Sequence, residues 1–486
     1  MRFAMTRYRC DVCDIFEYDL TAGDPSAGIP PGAHPSDLPE GWECPICGAD
    51  RTHLRLLPSD ESSATDHAKE LAASRVDPLA YPVHWARHRD SFEVTMADIH
   101  EISVSGRSVI EPMRTLKPAC SWDDILVLGA QFARLPVEET VPVNTRTVIG
   151  PAAEQPLVIE TPLLVTHMSF GALSREVKVA LAKGSAAVKT AIGSGEGGIH
   201  PDERQHAYRY ILEYVPNRYS IVRENLRASD AVEIKIGQSV EPGLGAMLPG
   251  EKVTEEIGRI RGYDPGTDIV SPATYDDVRT TADLQAKIRW LRDESGGRPV
   301  GVKIAAGHIE EDLDAILPAG PDFITIDGRP GASGAAPRFI KDATSVPTVH
   351  ALHRARKHLD RRGADQVSLI VTGGLRISPD FAKALAMGAD AVALGTAALI
   401  ACACQQYRIC HTGRCPVGVT TQNPELRARL DPDAAAERLA NFLRVSTDEV
   451  VRFARLCGHT DVHALSLRDL CTTSREIAEY TDIPHV

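Results

Sequence analysis

Two short motifs, Cys10-x2-Cys13 and Cys44-x2-Cys47, bracket the opening of the chain and constrain its fold more than any other feature. Each Cys-x2-Cys turn aims two sulfurs at one point, so a pair of such turns supplies four thiolates for tetrahedral iron or zinc. Spacing alone does not choose the metal. Thirty residues separate the two pairs, whereas zinc ribbons have gaps of ~15–20, which leans away from zinc. Eleven cysteines would also suit a disulfide-bonded secreted chain. Against this, MRFAMTRYRC reaches the first motif with no room for the apolar core of a signal peptide. No stretch approaches the ~20 apolar residues that span a bilayer. The expected setting is therefore cytoplasmic, where clustered cysteines bind metal or do redox chemistry. Lys and Arg total 53 against 66 Asp and Glu, a net charge of -13. That acidic balance argues against nucleic-acid or membrane partners and favours solubility.

A chain of 486 residues exceeds one ordinary core. Residues 1–50 form the metal unit. Residues 51–120 read as a linker and helical lead-in, with the polar run SDESSATDHAKE entering a short helix. From 121 to 425, apolar β-rich runs alternate with amphipathic stretches. The strand candidates are 163–168, 190–194, 219–222, 232–236, 300–304, 323–327, 369–373 and 391–395. Eight parallel strands with helices between them predict a (β/α)8 TIM-type barrel in an α/β chain. A doubly wound sheet is disfavoured, because no Gly-x-Gly-x-x-Gly turn follows an early strand. The Gly- and Pro-rich insertion 237–275 is expected to cap the barrel mouth, and 426–486 to form amphipathic helices.

Between the paired cysteines, Tyr18-Asp19, the Gly23-Asp24-Pro25 turn and Asp37-Leu38-Pro39-x-x-Trp42-x-Cys44-Pro45-x-Cys47-Gly48 closely resemble rubredoxin. The resemblance implies one iron on Cys10, Cys13, Cys44 and Cys47, passing single electrons; zinc is the alternative occupant. The family usually has Gly after the second cysteine, and here that residue is Asp14.

A second cysteine set, Cys404-x5-Cys410-x4-Cys415-Pro416, follows the last strand candidate and reads as an iron–sulfur ligand run. The stretch Cys404–Arg427 is similar to the FMN-binding synthase domain of glutamate synthase. So are Met168-Ser169-Phe170-Gly171-Ala172-Leu173-Ser174, Gly195-Glu196-Gly197-Gly198, Ile234-Lys235-Ile236-x-Gln238, Leu248-Pro249-Gly250 and the Gly-x-x-Gly after Asp327. This resemblance runs through about 160–430 and implies FMN with a 3Fe–4S cluster on Cys404, Cys410 and Cys415. Cys120, Cys402, Cys457 and Cys471 match nothing and read as ordinary thiols.

A barrel binds a phosphorylated cofactor at the turns after its seventh and eighth strands. Here these are Gly373-Gly374-Leu375 and Gly395-Thr396-Ala397. Met168, Ser169, Gln238, Gly331 and Gly334 complete the expected FMN contacts. Lys235 and Lys303 end buried strands, so each needs an anionic partner, a role beside the flavin, or a route to the rim. With Glu196 they are the expected catalytic groups; a carboxylate there orients an ammonium or imine, relays a proton, or merely caps its loop. Glu196, Glu241 and Ser333 are the expected substrate contacts. Glu241 stands where the family typically has Lys, and Gly331-Ala332-Ser333-Gly334 replaces its Gly-Gly-Thr-Gly.

Three functions follow as expectations. The first is reduction of 2-iminoglutarate by a glutamate synthase-type oxidoreductase acting on CH-NH2 donors. The second is flavin chemistry on another amine or imine, and the third an electron-relay subunit. Electrons would pass from head iron to cluster to FMN. The expected partners are an electron donor (ferredoxin or an NAD(P)H-dependent reductase subunit), a separate amidotransferase subunit and further copies of the chain.

Overall fold

The computed structural model describes residues 6–13, 16–46, 48–57 and 92–486, with Ser26 in backbone only. Asp14, Cys47 and the polar run expected as a linker lie outside the described residues. The chain divides into two compact units.

The head is a three-stranded antiparallel sheet in the order β2-β1-β3, made of β1 (Arg7–Cys10), β2 (Glu17–Asp19) and β3 (Leu54–Leu56). Alternation along β1 turns Tyr8 and Cys10 inward. They join Tyr18, Ile29, Leu38, Trp42 and Leu54 in one small core. Between the strands the chain runs in 3-10 turns, each fixed by local chemistry. At Arg51–His53, for example, the Asp50 carboxylate accepts from Thr52 N–H. A core this small gains a large share of its stability from a bound metal. In the lead-in, the helix Met96–Ser105 ends at Gly106 in left-handed conformation.

The second unit is a closed parallel barrel. Its strands are β7 (Leu163–Val165), β8 (Ala191–Gly193), β9 (Arg209–Tyr214), β10 (Ala231–Lys235), β13 (Val300–Ala305), β14 (Phe323–Asp327), β15 (Ser368–Thr372) and β16 (Ala391–Leu394). The expected TIM-type barrel is present. One strand differs from expectation: the third is Arg209–Tyr214, not 219–222. The apolar-looking Tyr219-Ser220-Ile221-Val222 is a turn, with Ser220 at φ +58°. RYILEY carries an Arg and a Glu: Arg209 starts the strand half-exposed and pairs with Asp230, while Glu213 is buried inside the barrel.

An antiparallel hairpin, β5 (Thr147–Ile149) with β6 (Leu157–Ile159), packs Ile149, Leu157 and Ile159 against Leu164, Ile211, Phe323 and Ile370. It seals the N-terminal end of the barrel. The insertion after β10 holds a two-stranded ribbon, β11 (Met247–Leu248) and β12 (Ile269–Val270), around the helix Glu255–Arg261. Leu248, Val253, Ile257 and Ile269 pack on Phe170, Val215 and Tyr219 just past the strand ends. The tail helix Pro432–Leu456 lies along the helix Arg175–Ala187, close enough that a side chain on Gly184 would strike Leu439. The last strand, β17 (Leu470–Thr472), returns to pair with β4 (Ile125–Val127). No helix among the described residues is long and apolar enough to cross a membrane.

Candidate functional site

In the head, Cys10 ends β1 and Cys13 lies in the turn that follows. The Cys10 N–H donates to Phe16 O, and on the facing turn Gly48 N–H donates to Cys44 O. These tight turns bring the sulfurs of Cys10, Cys13 and Cys44 within 4.8 Å of one another, with Cys13 and Cys44 3.9 Å apart. Thiolates ~2.3 Å from a tetrahedral metal stand ~3.8 Å apart, so the three sulfurs already have the spacing of a mononuclear site. The fourth expected ligand, Cys47, lies outside the described residues.

Inside the barrel, above the apolar seal, the strands carry a polar layer. Parallel pairing sets Glu233 beside Glu213, and Lys303 between Lys235 and Thr325. Thr325 Oγ1 donates to Glu233 at 2.6 Å, and His167 Nε2 lies 3.4 Å from the other Glu233 oxygen. Lys303 reaches Asp327 at 3.7 Å, so it is paired within the barrel and does not run to the rim. Lys178 donates to Met168 O and Ser194 O and pairs with Glu203 at 2.6 Å. Burial pushes the carboxyls of Glu203 and Glu233 up to about 7, even against Lys178 and Lys303.

At the mouth, Lys235 donates to Glu196 at 2.5 Å. Burial opposes its charge, but Glu196, Glu213 and Glu241 outweigh burial and hold the ammonium above its ordinary range. The Glu241 carboxyl accepts from Gln238 Nε2 at 2.8 Å and Ser333 Oγ at 3.1 Å. Burial raises its pKa, offset in part by Lys235, and Glu196 raises it further. Arg261, on the insertion helix, donates to Phe170 O at 2.6 Å, and its Nε has no hydrogen-bond partner among the described residues. Two bonded sets thus stand at the mouth, Lys235 with Glu196 and Glu241 with Gln238 and Ser333.

The turns expected to seat a phosphate are built tightly. Gly373 and Gly374 have φ of +106° and +92°, and a side chain on Gly374 would lie 2.6 Å from Pro330. Glycine is required there by backbone shape and neighbour contact, independently of any ligand. Two residues on, Arg376 is half-buried. Burial and the nearby Arg114 lower its pKa to about 10, so an anion placed between the two cations would relieve both. Ser169 lies in the turn after β7, Gly395 precedes the helix that begins with buried Thr396, and Gly331 sits so close to Ser239 that no side chain fits. Gly334 has only ordinary contact distance to Cys410. A phosphorylated, planar cofactor fits this donor set.

Cys404, Cys410 and Cys415 lie in the segment after β16, the first half-buried and the others buried. Gln406 and Arg408 have φ of +60° and +56°, so the loop coils tightly. Gln406 Nε2 donates to Cys404 Sγ at 3.1 Å, and Cys410 Sγ contacts Met113 Sδ at 3.8 Å. Hydrogen bonds to ligand sulfurs are how a protein tunes a metal cluster, and three thiolates suit iron–sulfur chemistry. Of the cysteines expected as ordinary thiols, Cys402, Cys457 and Cys471 are buried. Burial pushes Cys120 and Cys402 up to about 12, where they are unreactive.

Sequence reasoning missed several of these groups. His167, Glu213, Glu233 and Asp327 carry no motif of their own. Arg261 sits in the insertion, and Met113 and Arg114 precede the barrel; none has a spacing that marks it. Arg376 alone had a signal, the residue after a strand-ending Gly-Gly-Leu.

The conserved region of glutamate synthase matches residues 110–460, and rubredoxin matches residues 7–54. A glutamate synthase large subunit-like protein of Rhizobium meliloti is 35% identical over 412 residues, covering 81% of this chain and 93% of that one. An archaeal-type glutamate synthase [NADPH] of Thermotoga neapolitana is 39% identical over 328 residues, covering 66% and 64%. The chain thus spans less than two thirds of that second relative. Among solved structures, a mutant of (S)-mandelate dehydrogenase superposes with a TM-score of 0.47 at 14% identity, covering 72% of this chain and 88% of that one.

Proposed function

The chain belongs to the glutamate synthase family and carries a rubredoxin domain, which implies iron; on that footing we propose that it reduces the carbon–nitrogen double bond of an amino-acid-like substrate at the barrel mouth. FMN seated at the β15 and β16 turns would supply the hydride chemistry. The residues that would hold it are Met168, Ser169, Gln238, Lys303, Gly331, Gly334, Gly373, Gly374, Gly395 and Thr396, with Arg376 at the phosphate. The head thiolates would hold iron, and Cys404, Cys410 and Cys415 a 3Fe–4S cluster; both do one-electron chemistry.

The observation that carries the reading is the bonded set Lys235–Glu196 and Glu241–Gln238–Ser333 at the strand ends. Lys235 and Lys303 bring fixed positive charge to a site that must accept electrons. Glu196 is placed to orient an ammonium or iminium nitrogen and to move a proton at that nitrogen. Arg261, buried and with no hydrogen-bond partner at Nε among the described residues, is suited to a substrate carboxylate.

Glu241 favours a second reading within the same chemistry. Its carboxyl is held by two neutral donors, while the nearest ammonium, Lys235, is already paired with Glu196. Such a group welcomes a cationic amine and repels a second carboxylate, by several kcal/mol in order of magnitude. The second reading is therefore another amine or imine substrate, held so that no substrate carboxylate lies beside Glu241; imines of 2-oxoglutarate with alkylamines belong to this class.

Dithionite-reduced protein supplied with 2-oxoglutarate and either ammonia or methylamine tests both. Glutamate supports the first reading and N-methylglutamate the second. Flavin reoxidised by neither leaves an electron-relay subunit. In the cell the reductant would be a ferredoxin or an NAD(P)H-dependent reductase subunit, and ammonia would come from a separate amidotransferase subunit. A reducing cytoplasm and a homo-oligomeric state complete the proposal.

A further inference from the structure

We propose that Glu233 is a positioning residue: its buried carboxyl group, held by Thr325 and facing His167, sets the effective charge that the Lys303 ammonium on the neighbouring strand presents toward the barrel mouth. Glu233 is 3% exposed, and one oxygen, Oε1, has no hydrogen-bond partner although it faces His167 Nε2. The His167 proton can be located from geometry. Gly195 N–H donates to His167 Nδ1 at 3.2 Å, so Nδ1 is an acceptor and the neutral ring carries its proton on Nε2, toward Glu233. Burial, followed by Lys303, Lys178 and Lys235, keeps that ring neutral.

The charges facing Glu233 come from every strand packed on it. They are Glu213 from β9, Lys303 from β13, and Asp327 with the Thr325 hydroxyl from β14; Lys235 follows two residues on along β10. Lys235 is bonded to Glu196 and Lys178 to Glu203. What remains is three carboxyls, Glu213, Glu233 and Asp327, around one ammonium. Burial cannot sustain that excess of negative charge, so a proton stays in the layer, and Glu233, with its carboxyl near neutrality, is its seat. With the proton present, Lys303 keeps its full field toward the mouth; with it lost, Glu233 draws that field inward.

His167, Glu213 and Glu233 do come within 4.8 Å of one another, the reach of a metal site. A cation is nonetheless opposed there by the three lysines that act on His167, and the Gly195 bond already occupies Nδ1.

The inference rests on the flavin reading only for what Lys303 acts on. The experiment therefore has two arms, both on the full chain as purified. Infrared difference spectra through neutral pH read the carboxyl proton directly and need no flavin. A protonated-carboxyl band titrating near pH 7 is expected, absent in Glu233→Gln and shifted to higher pH in Thr325→Val, which keeps the volume and removes the hydrogen bond. The second arm measures the potential of the bound flavin against pH. Glu233→Gln should raise that potential and flatten its dependence around neutrality, and Thr325→Val should move it the same way by less. A band that persists in Glu233→Gln overturns the assignment. So does a potential profile identical to wild type in both variants, or uptake of added Mn2+ or Zn2+ that Glu233→Gln abolishes. A chain that binds no flavin defeats the proposed function, while the infrared arm still decides on Glu233.

Discussion

At the scale of single residues, the function turns on where carboxyl groups sit and whether they are ionised. Glu241→Lys should lower the KM for 2-oxoglutarate by on the order of 10- to 100-fold, since a like-charge contact with a substrate carboxylate is exchanged for an opposite one. Initial rates against 2-oxoglutarate concentration at saturating ammonia check this. Burial also gives the fold a pH dependence. Glu203 and Glu233 keep their protons up to about 7 in the folded chain, against an ordinary value of 4.5. Between those values the folded state binds more protons than the unfolded one, so their part of the stability is full below about pH 4.5 and is lost as pH rises through 7. Urea midpoints measured from pH 5 to 8 should fall less steeply in Glu233→Gln than in wild type. Lys235, Lys303 and Glu196 could be picked out from sequence because a charge at the end of an apolar strand, or between glycines, calls for a partner. Glu213 and Glu233 could not. In a linear strand pattern an isolated carboxylate reads as facing water, and only barrel closure turns that position inward.

At the scale of elements, tight approach replaces chemistry as the constraint. A methyl group on Gly193, the last residue of β8, would lie 2.5 Å from His167 Nδ1. Gly193→Ala should therefore displace the ring and destabilise the fold by roughly 1–3 kcal/mol, the usual cost of overpacking a filled core. Chemical denaturation gives the size, and loss of the Glu233 carboxyl titration tells displacement from simple destabilisation. Strands such as Phe323–Asp327 and Ser368–Thr372 were legible because their buried runs are apolar and bounded by Gly and Pro. The third strand was not, because Arg209 and Glu213 break its apolar run, while Tyr219 and Ile221 imitate one inside a turn. The insertion was legible as a cap from its Gly and Pro content. Arg261, which we propose meets a substrate carboxylate, was not, since a helix position gains meaning only when packing aims it at Phe170.

At the scale of the whole molecule, the chain divides into two compact units. Cys10→Ser should abolish iron binding in the head and cut reduction of the flavin by a protein donor at least ~10-fold, as expected when a metal ligand or its support is lost. Reduction by dithionite should be unchanged, which stopped-flow absorbance will read. Most of this organisation was visible in the sequence, because cysteine spacing and strand-end glycines are local signals. The polar layer within the barrel was hidden, being assembled from strands spread between positions 167 and 327. The most direct test of the central claim is the metal and flavin content of the purified, anaerobically handled chain, with its electron paramagnetic resonance spectrum. The account predicts iron without zinc, FMN on release, and two distinct signals, one from a high-spin ferric tetrathiolate and one from a 3Fe–4S cluster. Zinc at the head thiolates, or a colourless protein without flavin, would contradict it.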